Sequence, residues 1–204
     1  SLLSTLVAAD RRLGFDRARA RELQWLFTNE RIAPRQREHV LDSLLGFARA
    51  LGVEPGTPAW NLPLPGEALE YARTLVPETP RERPGTPGTL VISACSSHAL
   101  RNWRAERYAA VARHAVRRHG LRVILAGGPG AHEREMATAI AAHSEVPVLD
   151  NVGKDTLPQL LALLGRATAL LTPDSGPAHM GTVAGVPVIG LYACTRSART
   201  GAPA

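Results

Sequence analysis

From residue 89 onward the chain alternates short, wholly apolar runs with amphipathic helical stretches, and no other feature restricts its fold as much. TLVISA (89–94) is followed by a segment at 104–119 that brings Tyr108, Val111, Ala112, Ala115 and Val116 onto one helical face. LRVILA (121–126) leads through a glycine-rich turn to a helix at about 132–142, and 146–149 is a third short strand. Helical spacing at 157–164, a strand at 169–172, a helix at 177–184 and a strand at 186–192 complete the pattern. Strands separated by single helices need crossover connections and so form a parallel sheet. Runs that are apolar at every position, rather than at every second one, belong to strands buried on both faces. The expectation is an α/β, Rossmann-like unit with helices on both faces of its sheet.

Ahead of this unit lies PETPRERPGTPG (77–88), with four prolines and two glycines in twelve residues. Such a stretch is neither helix nor central strand and reads as a stiff, exposed linker. The chain is therefore expected to divide into residues 1–76, a linker at 77–88 and a domain at 89–204. In the first part, 2–9 is helical or extended, 13–16 a strand running into a loop, and 22–27 and 37–51 helices. Residues 59–64 read as an edge strand because of their prolines, and 67–76 as a helix. This part lacks the repeated strand–helix units of a complete α/β domain.

Composition narrows the functional classes. With 45% apolar and 21% charged residues the chain is globular rather than disordered. It has no run of about 18 apolar residues, and no basic flank precedes the apolar residues 2–9 as in a secretory leader. Cys95 and Cys194 are too few for a disulfide scaffold and read as reduced thiols of a cytosolic protein. The net charge of +6 comes from arginine, since Lys154 is the only lysine among 24 Lys and Arg. Base composition of the gene would explain that excess; so would an anionic partner such as a nucleotide, a nucleic acid or a membrane surface. Three Trp, three Tyr and three Phe are few for a base-stacking platform.

Ligands of parallel α/β sheets bind beyond the carboxyl ends of the strands, where three loops carry the candidate chemistry. In TPDSGPAHM (172–180), Ser175 can cap a helix, Pro177 suits its first turn, and Gly176 permits close approach of a ligand. The amides of Gly176, Ala178 and His179 would then face a phosphate at the positive end of the helix dipole. The competing reading is an ordinary capped helix in which Asp174 and Ser175 serve the backbone and His179 is a surface residue. GGPGAHERE (127–135) matches neither a P-loop nor G-x-G-x-x-G, but Glu133 or Glu135 could accept hydrogen bonds from a ribose; either is equally at home as a first-turn acid. The loop with Ser96, Ser97, His98, Arg101 and Asn102 suits a diphosphate or a sugar, or is a polar turn anchored by Trp103. His114 and His119, five apart on one helix, are expected on different faces, and no Cys/His pair has zinc spacing. A Ser175–His179–Asp174 triad lacks the G-x-S-x-G elbow it would need.

Taken together, these loops resemble the carboxy-terminal half of glycosyltransferase family 9, the ADP-heptose:lipopolysaccharide heptosyltransferases. LTPDSGPAHMGTVAGVPVIGLY (171–192) is similar to the family's D-[ST]-G-x-x-H signature and its trailing A-x-G-x-P-V strand. ACSSHALRNWRAERYAAVA resembles the loop before its W-x-x-E-x-[YW] helix, and NVGKDTLPQLLALLGRA its G-x-[ST]-x-L-x-[EQ]-[LV]-x-x-L-[LI] segment. FDRARARELQWLFTNERI is similar to the acceptor-side region of the amino-terminal domain. The resemblance implies a GT-B fold, two Rossmann-like domains with the sugar nucleotide held mainly by the second. It implies transfer of a heptose from ADP-heptose to the lipopolysaccharide inner core (lipid A–Kdo), in the cytoplasm, and leaves open peripheral contact with the anionic inner membrane. Asp174, Ser175, Gly176 and His179 match the donor signature, and Arg101 falls where the family usually has a Lys. Ser96 and Ser97 share that loop, and Glu133, with Glu135 as competitor, matches the ribose-binding acid. No metal, cofactor or nucleic acid is expected. Family members start with a strand, a glycine-rich turn and an Asp proposed as general base, and they continue to closing helices. On that pattern the chain reads as an inactive piece truncated at both ends, with an incomplete first domain and its base upstream of residue 1; Asp10 and Asp16 are not substitutes. The alternatives are another GT-B sugar-nucleotide enzyme, a nucleotide-sugar epimerase, a nucleotide-sugar-binding module without activity, or, ranked lower, nucleic-acid binding through the arginine-rich surface.

Overall fold

A computed structural model describes residues 5–35, 38–193 and 201. They fall into two compact units that divide between Ala59 and Trp60.

The first unit is held by polar contacts more than by an apolar core. Strand β1 (Leu13–Gly14) pairs in parallel with β2 (Glu30–Arg31), and a 3-10 turn at Gln24–Leu26 stands where sequence predicts a helix at 22–27. Helix α1 (Val40–Ala50) starts where His39 Nδ1 accepts the Leu41 N–H at 3.1 Å. Phe15 meets Phe47 edge to face at 4.9 Å, and Ile32 is the one buried hydrophobic residue among those described here. Arg19 gathers the unit, reaching Asp16, Glu38, Ser43 Oγ at 3.1 Å and the Ala33 carbonyl at 2.7 Å. Burial raises the Asp16 pKa, but hydrogen bonds from Arg19 and the Ala18 N–H outweigh it and hold the carboxyl below its ordinary value. A carboxylate so occupied is a poor base. Residues 59–64 form no strand, their prolines removing the donors a ladder requires. Of the stretch 2–9, residues 2–4 lie outside the described residues; residues 5 and 6 form a 3-10 turn and no helix or strand follows before β1.

The second unit is the expected α/β sheet. Strands β3 (Thr89–Ile92), β4 (Arg122–Leu125), β5 (Leu149–Asp150), β6 (Ala169–Pro173) and β7 (Val188–Leu191) are all parallel, in the order β5-β4-β3-β6-β7. β3 is central and buried at all four positions. Between the strands run α3 (Ala105–His119), α4 (Ala131–Ser144), α5 (Leu157–Arg166) and α6 (Gly176–Ala184). On one face Tyr108, Ala109, Ala112 and Ala115 of α3 and Ile140 of α4 cover Leu90, Ile92, Val123 and Leu125. On the other, Leu160, Leu163 and Leu164 of α5 cover Val91, Ile124 and Leu170. Small residues on α3 let the helix approach the sheet closely, so Ala109, Ala112 and Ala115 are buried together with the ring of Tyr108.

Helix α2 (Gly66–Leu75) belongs to this unit. The sequence reading groups it with residues 1–76, yet Ala68, Ala72 and Val76 are buried in the same apolar cluster as α5. The stretch 77–88 is a turn clamped to the end of α5. Arg166 donates from Nε to the Val76 carbonyl at 2.7 Å and from Nη2 to the Pro77 carbonyl at 2.9 Å, and it pairs with Glu82 at 2.7 Å. Strand β5 begins three residues later than predicted, because Pro147 has no N–H for a ladder and Ser144 Oγ takes the Val146 carbonyl. No helix of the described residues is long and apolar enough to cross a membrane.

Candidate functional site

The strand order creates a switch point. β4 and β5 extend the sheet to one side of β3, whereas the chain reaches β6 only by crossing to the other side. The loops leaving β3 and β6 therefore stand at the place where open α/β sheets bind ligands, outside the carboxyl ends of the strands. Arg101 and Asp174 stand in these two loops.

Arg101 closes a 3-10 turn at Ala99–Arg101, and its Nη1 lies 3.9 Å from Asp174 Oδ2. Asp174 is 7% exposed and the Arg101 side chain 31%, so the guanidinium keeps a solvent-facing side while the carboxylate is covered. Asn102 shapes the rest of the β3 loop: its Oδ1 accepts the Ser96 N–H at 2.8 Å and lies 3.1 Å from Ser96 Oγ, which donates to the His98 carbonyl at 2.9 Å. Ser97 is exposed. Trp103 anchors the loop as expected, packing edge to face on buried Tyr108 at 5.8 Å.

Helix α6 starts beside Asp174. Gly176 is exposed, and a Cβ built on it would meet no atom within 4 Å beyond its chain neighbours, so the helix start is open. Two details differ from the sequence reading. Ser175 occupies the N-cap position, but its Oγ lies 3.0 Å from Thr172 Oγ1 and donates to the Pro173 carbonyl at 3.1 Å instead of capping an amide. The Ala178 N–H is taken by the Ser175 carbonyl at 3.1 Å, and Pro177 has none, which leaves Gly176 and His179 as the amides at this end to consider for an anion. The His179 side chain is exposed one turn in.

The second loop joins the first through Asn102 Nδ2 and His132 Nε2, 3.2 Å apart. Glu133 turns back on its own loop, Oε2 accepting the Gly128 N–H. One carboxylate oxygen is thus committed to shaping the Gly127–Gly128 turn, as expected of a first-turn acid; Glu135 is exposed on the next turn. Cys95, three residues past β3, has its thiol pushed up to about 11 by burial first and by the charge of Glu133 second. It is a free thiol; Cys194 lies outside the described residues. A fourth loop, between β5 and α5, was not among the sequence candidates. Its Gly153 N–H donates to the Gly127 carbonyl at 2.8 Å, so it continues the same rim. The short polar stretch NVGKD between a strand and a helix start was the available signal.

His114 and His119 are a correction: their Nε2 atoms lie 3.3 Å apart with ring centroids at 5.1 Å. The long imidazoles bridge the angular gap that their spacing puts between their Cα atoms. Among the described residues no group of three His, Cys, Asp or Glu is placed to hold a metal ion.

Comparison with known proteins places the chain in a family. The profile of Glycosyltransferase family 9 (heptosyltransferase) matches residues 1–204. The lipopolysaccharide core heptosyltransferase OpsX of Haemophilus influenzae is 38% identical over 200 residues, 98% of this chain and 55% of that protein. Among solved structures, a family 9 glycosyltransferase from Veillonella parvula superposes with a TM-score of 0.72 at 25% identity, over 87% of this chain and 51% of that one. The Escherichia coli heptosyltransferase WaaC with ADP gives 0.66 at 21% identity, over 93% and 55%, a likeness of fold. The chain spans about half the length of these relatives. With the profile matched from end to end and a relative at this level of identity, the chain belongs to glycosyltransferase family 9, the heptosyltransferases.

Proposed function

We propose that the protein containing this chain transfers a heptose from ADP-heptose to an acceptor hydroxyl of the lipopolysaccharide inner core, and that the unit from residue 60 onward holds the donor. The observation that carries this reading is the pairing of a partly exposed Arg101 with the open start of α6 at the β3–β6 switch point. A guanidinium with several donors and a helix amino terminus both favour an anion with two adjacent phosphates. The names of the relatives support heptose as the sugar and the lipopolysaccharide core as the acceptor, and the neighbour solved with ADP supports the nucleotide.

Such a transfer breaks the bond between the sugar's anomeric carbon and the diphosphate. Negative charge gathers on the departing ADP, and Arg101 with the α6 amides would stabilise it without a resident metal. Asp174, next to Arg101, orients the guanidinium toward the donor. The acceptor hydroxyl must lose its proton to a general base, a role given to no residue here. Ser96, Ser97, His179 and Glu133 line the donor side in this reading. The arginines of the first unit would face an anionic, lipid-linked acceptor at the cytoplasmic side of the inner membrane.

Calorimetric titration of the chain with ADP, ADP-heptose and UDP-sugars tests the proposal. Micromolar ADP binding that is weakened by Arg101→Ala and by Asp174→Ala is expected. ADP affinity indifferent to both changes, or a preference for UDP, would remove it.

A further inference from the structure

The β5–α5 loop is tied down from a distance. Tyr71, on α2, donates its hydroxyl to Asn151 Oδ1 at 2.7 Å, with the Lys154 carbonyl 3.2 Å away. Asn151 is 2% exposed; its Nδ2 donates to Asp155 Oδ2 at 3.0 Å, and its N–H to the Leu125 carbonyl at 2.9 Å. Its side-chain oxygen and nitrogen are therefore both occupied, one by a residue 80 positions earlier and one within the loop. The next residues reach the neighbouring loop: Gly153 has a φ of 73° and stands so close to Pro129 that a Cβ on it would lie 3.0 Å from the proline Cα. Val152 lines a small hollow together with Cys95 and Glu133. Helix α2 is already anchored by Ala68, Ala72 and Val76, so the Tyr71 hydroxyl is not needed to hold the helix on the sheet. Its hydrogen bonds serve the loop.

We propose that Tyr71 is a positioning residue for the nucleotide site: through Asn151 and the Lys154 carbonyl it holds the β5–α5 loop against the Gly127–Gly128 turn, as a wall of that site on the β4–β5 side. This rests on the nucleotide reading above. In a parallel sheet all strands end at one edge, so a diphosphate at the β3–β6 switch point places the remainder of the nucleotide along the loops that follow. A loop that rearranges on opening must be re-ordered when the ligand binds, which lowers affinity. Removing one hydroxyl while keeping the ring isolates this effect.

The test compares the unaltered chain with Tyr71→Phe and Arg101→Ala, by ADP titration and by amide hydrogen exchange. Tyr71→Phe is expected to weaken ADP binding by roughly three- to tenfold, the range of one ordinary hydrogen bond. It should also speed exchange at residues 151–156 while leaving residues 89–92 protected. Arg101→Ala should weaken ADP without altering exchange at 151–156. Faster exchange in Tyr71→Phe with ADP affinity unchanged would show a structural tie and overturn the positioning role, as would no change in either. If Arg101→Ala weakens ADP and Tyr71→Phe does not, only the Tyr71 proposal fails. An unaltered chain that does not bind ADP refutes the nucleotide reading and the Tyr71 role with it.

Discussion

Two glycines of α6 offer the sharpest separation of binding from folding. At Gly176 an added methyl meets open space, and the backbone lies outside the left-handed region. Gly176→Ala is therefore expected to leave stability unchanged or raise it by up to about 1 kcal/mol, through the narrower unfolded ensemble. The same methyl stands where an anion must approach the first amide of the helix. Loss of one charge-assisted hydrogen bond, about 1.5–3 kcal/mol, corresponds to a roughly 10- to 100-fold weaker ADP affinity. Five residues on, at Gly181, a Cβ would lie 2.6 Å from Val188 Cγ2 and 2.9 Å from Leu170 Cδ2. Leu170 is fully buried in the middle of the sheet and cannot yield, so Gly181→Ala forces α6 away and should cost about 1–3 kcal/mol. Urea unfolding and calorimetric ADP titration of the two variants should give opposite patterns: binding lost with stability kept at 176, stability lost first at 181. A Gly176→Ala protein that binds ADP as tightly as the unaltered chain would refute the assignment of the α6 start as the phosphate site.

Arg166→Ala should destabilise the second unit by roughly 2–3 kcal/mol, because two backbone carbonyls and Glu82 lose their donor; denaturant unfolding measures it, and exchange should rise first at 76–83. Asp155 has its carboxyl pushed up to about 6, mainly by burial. The folded state then holds this proton more tightly than the unfolded one, so its contribution is full below about pH 4 and is lost as pH rises through 6. Asp155→Asn should flatten that fall by roughly 1–2 kcal/mol, the carboxyl being only half buried, as read by unfolding midpoints between pH 4 and 8. Cys95, with a thiol near 11, should resist alkylation at pH 8 in the folded chain and react on unfolding, measured by mass in a Cys194→Ser background.

The candidate site was partly legible in the sequence. Asp174, Ser175 and Gly176 were readable because a capping residue, a glycine and a first-turn proline follow one another between a strand and a helix, a local pattern. Arg101 was legible through its place in a strand-to-helix loop. What each polar group does with its hydrogen bonds was not legible. Ser175 Oγ turns to Thr172 and Pro173, the Ala178 amide goes to the Ser175 carbonyl, and Glu133 closes on Gly128. Each choice depends on distances of a few tenths of an ångström, which residue types do not encode.

The sequence by itself determined the parallel α/β unit, since runs apolar at every position and helices apolar on one face admit few other arrangements, and every β strand of that unit lies within a few residues of its predicted place. Only the tertiary structure decided which partners those elements take. Strand order brings the 101 and 174 loops together at one edge of the sheet. Packing assigns α2 to the second unit, and contacts across 80 to 90 residues, Tyr71 with Asn151 and Arg166 with Val76, tie down its edges. Periodicity reports how a segment faces a core, whereas pairings between remote segments arise from the burial and shape of the whole, which no local window contains.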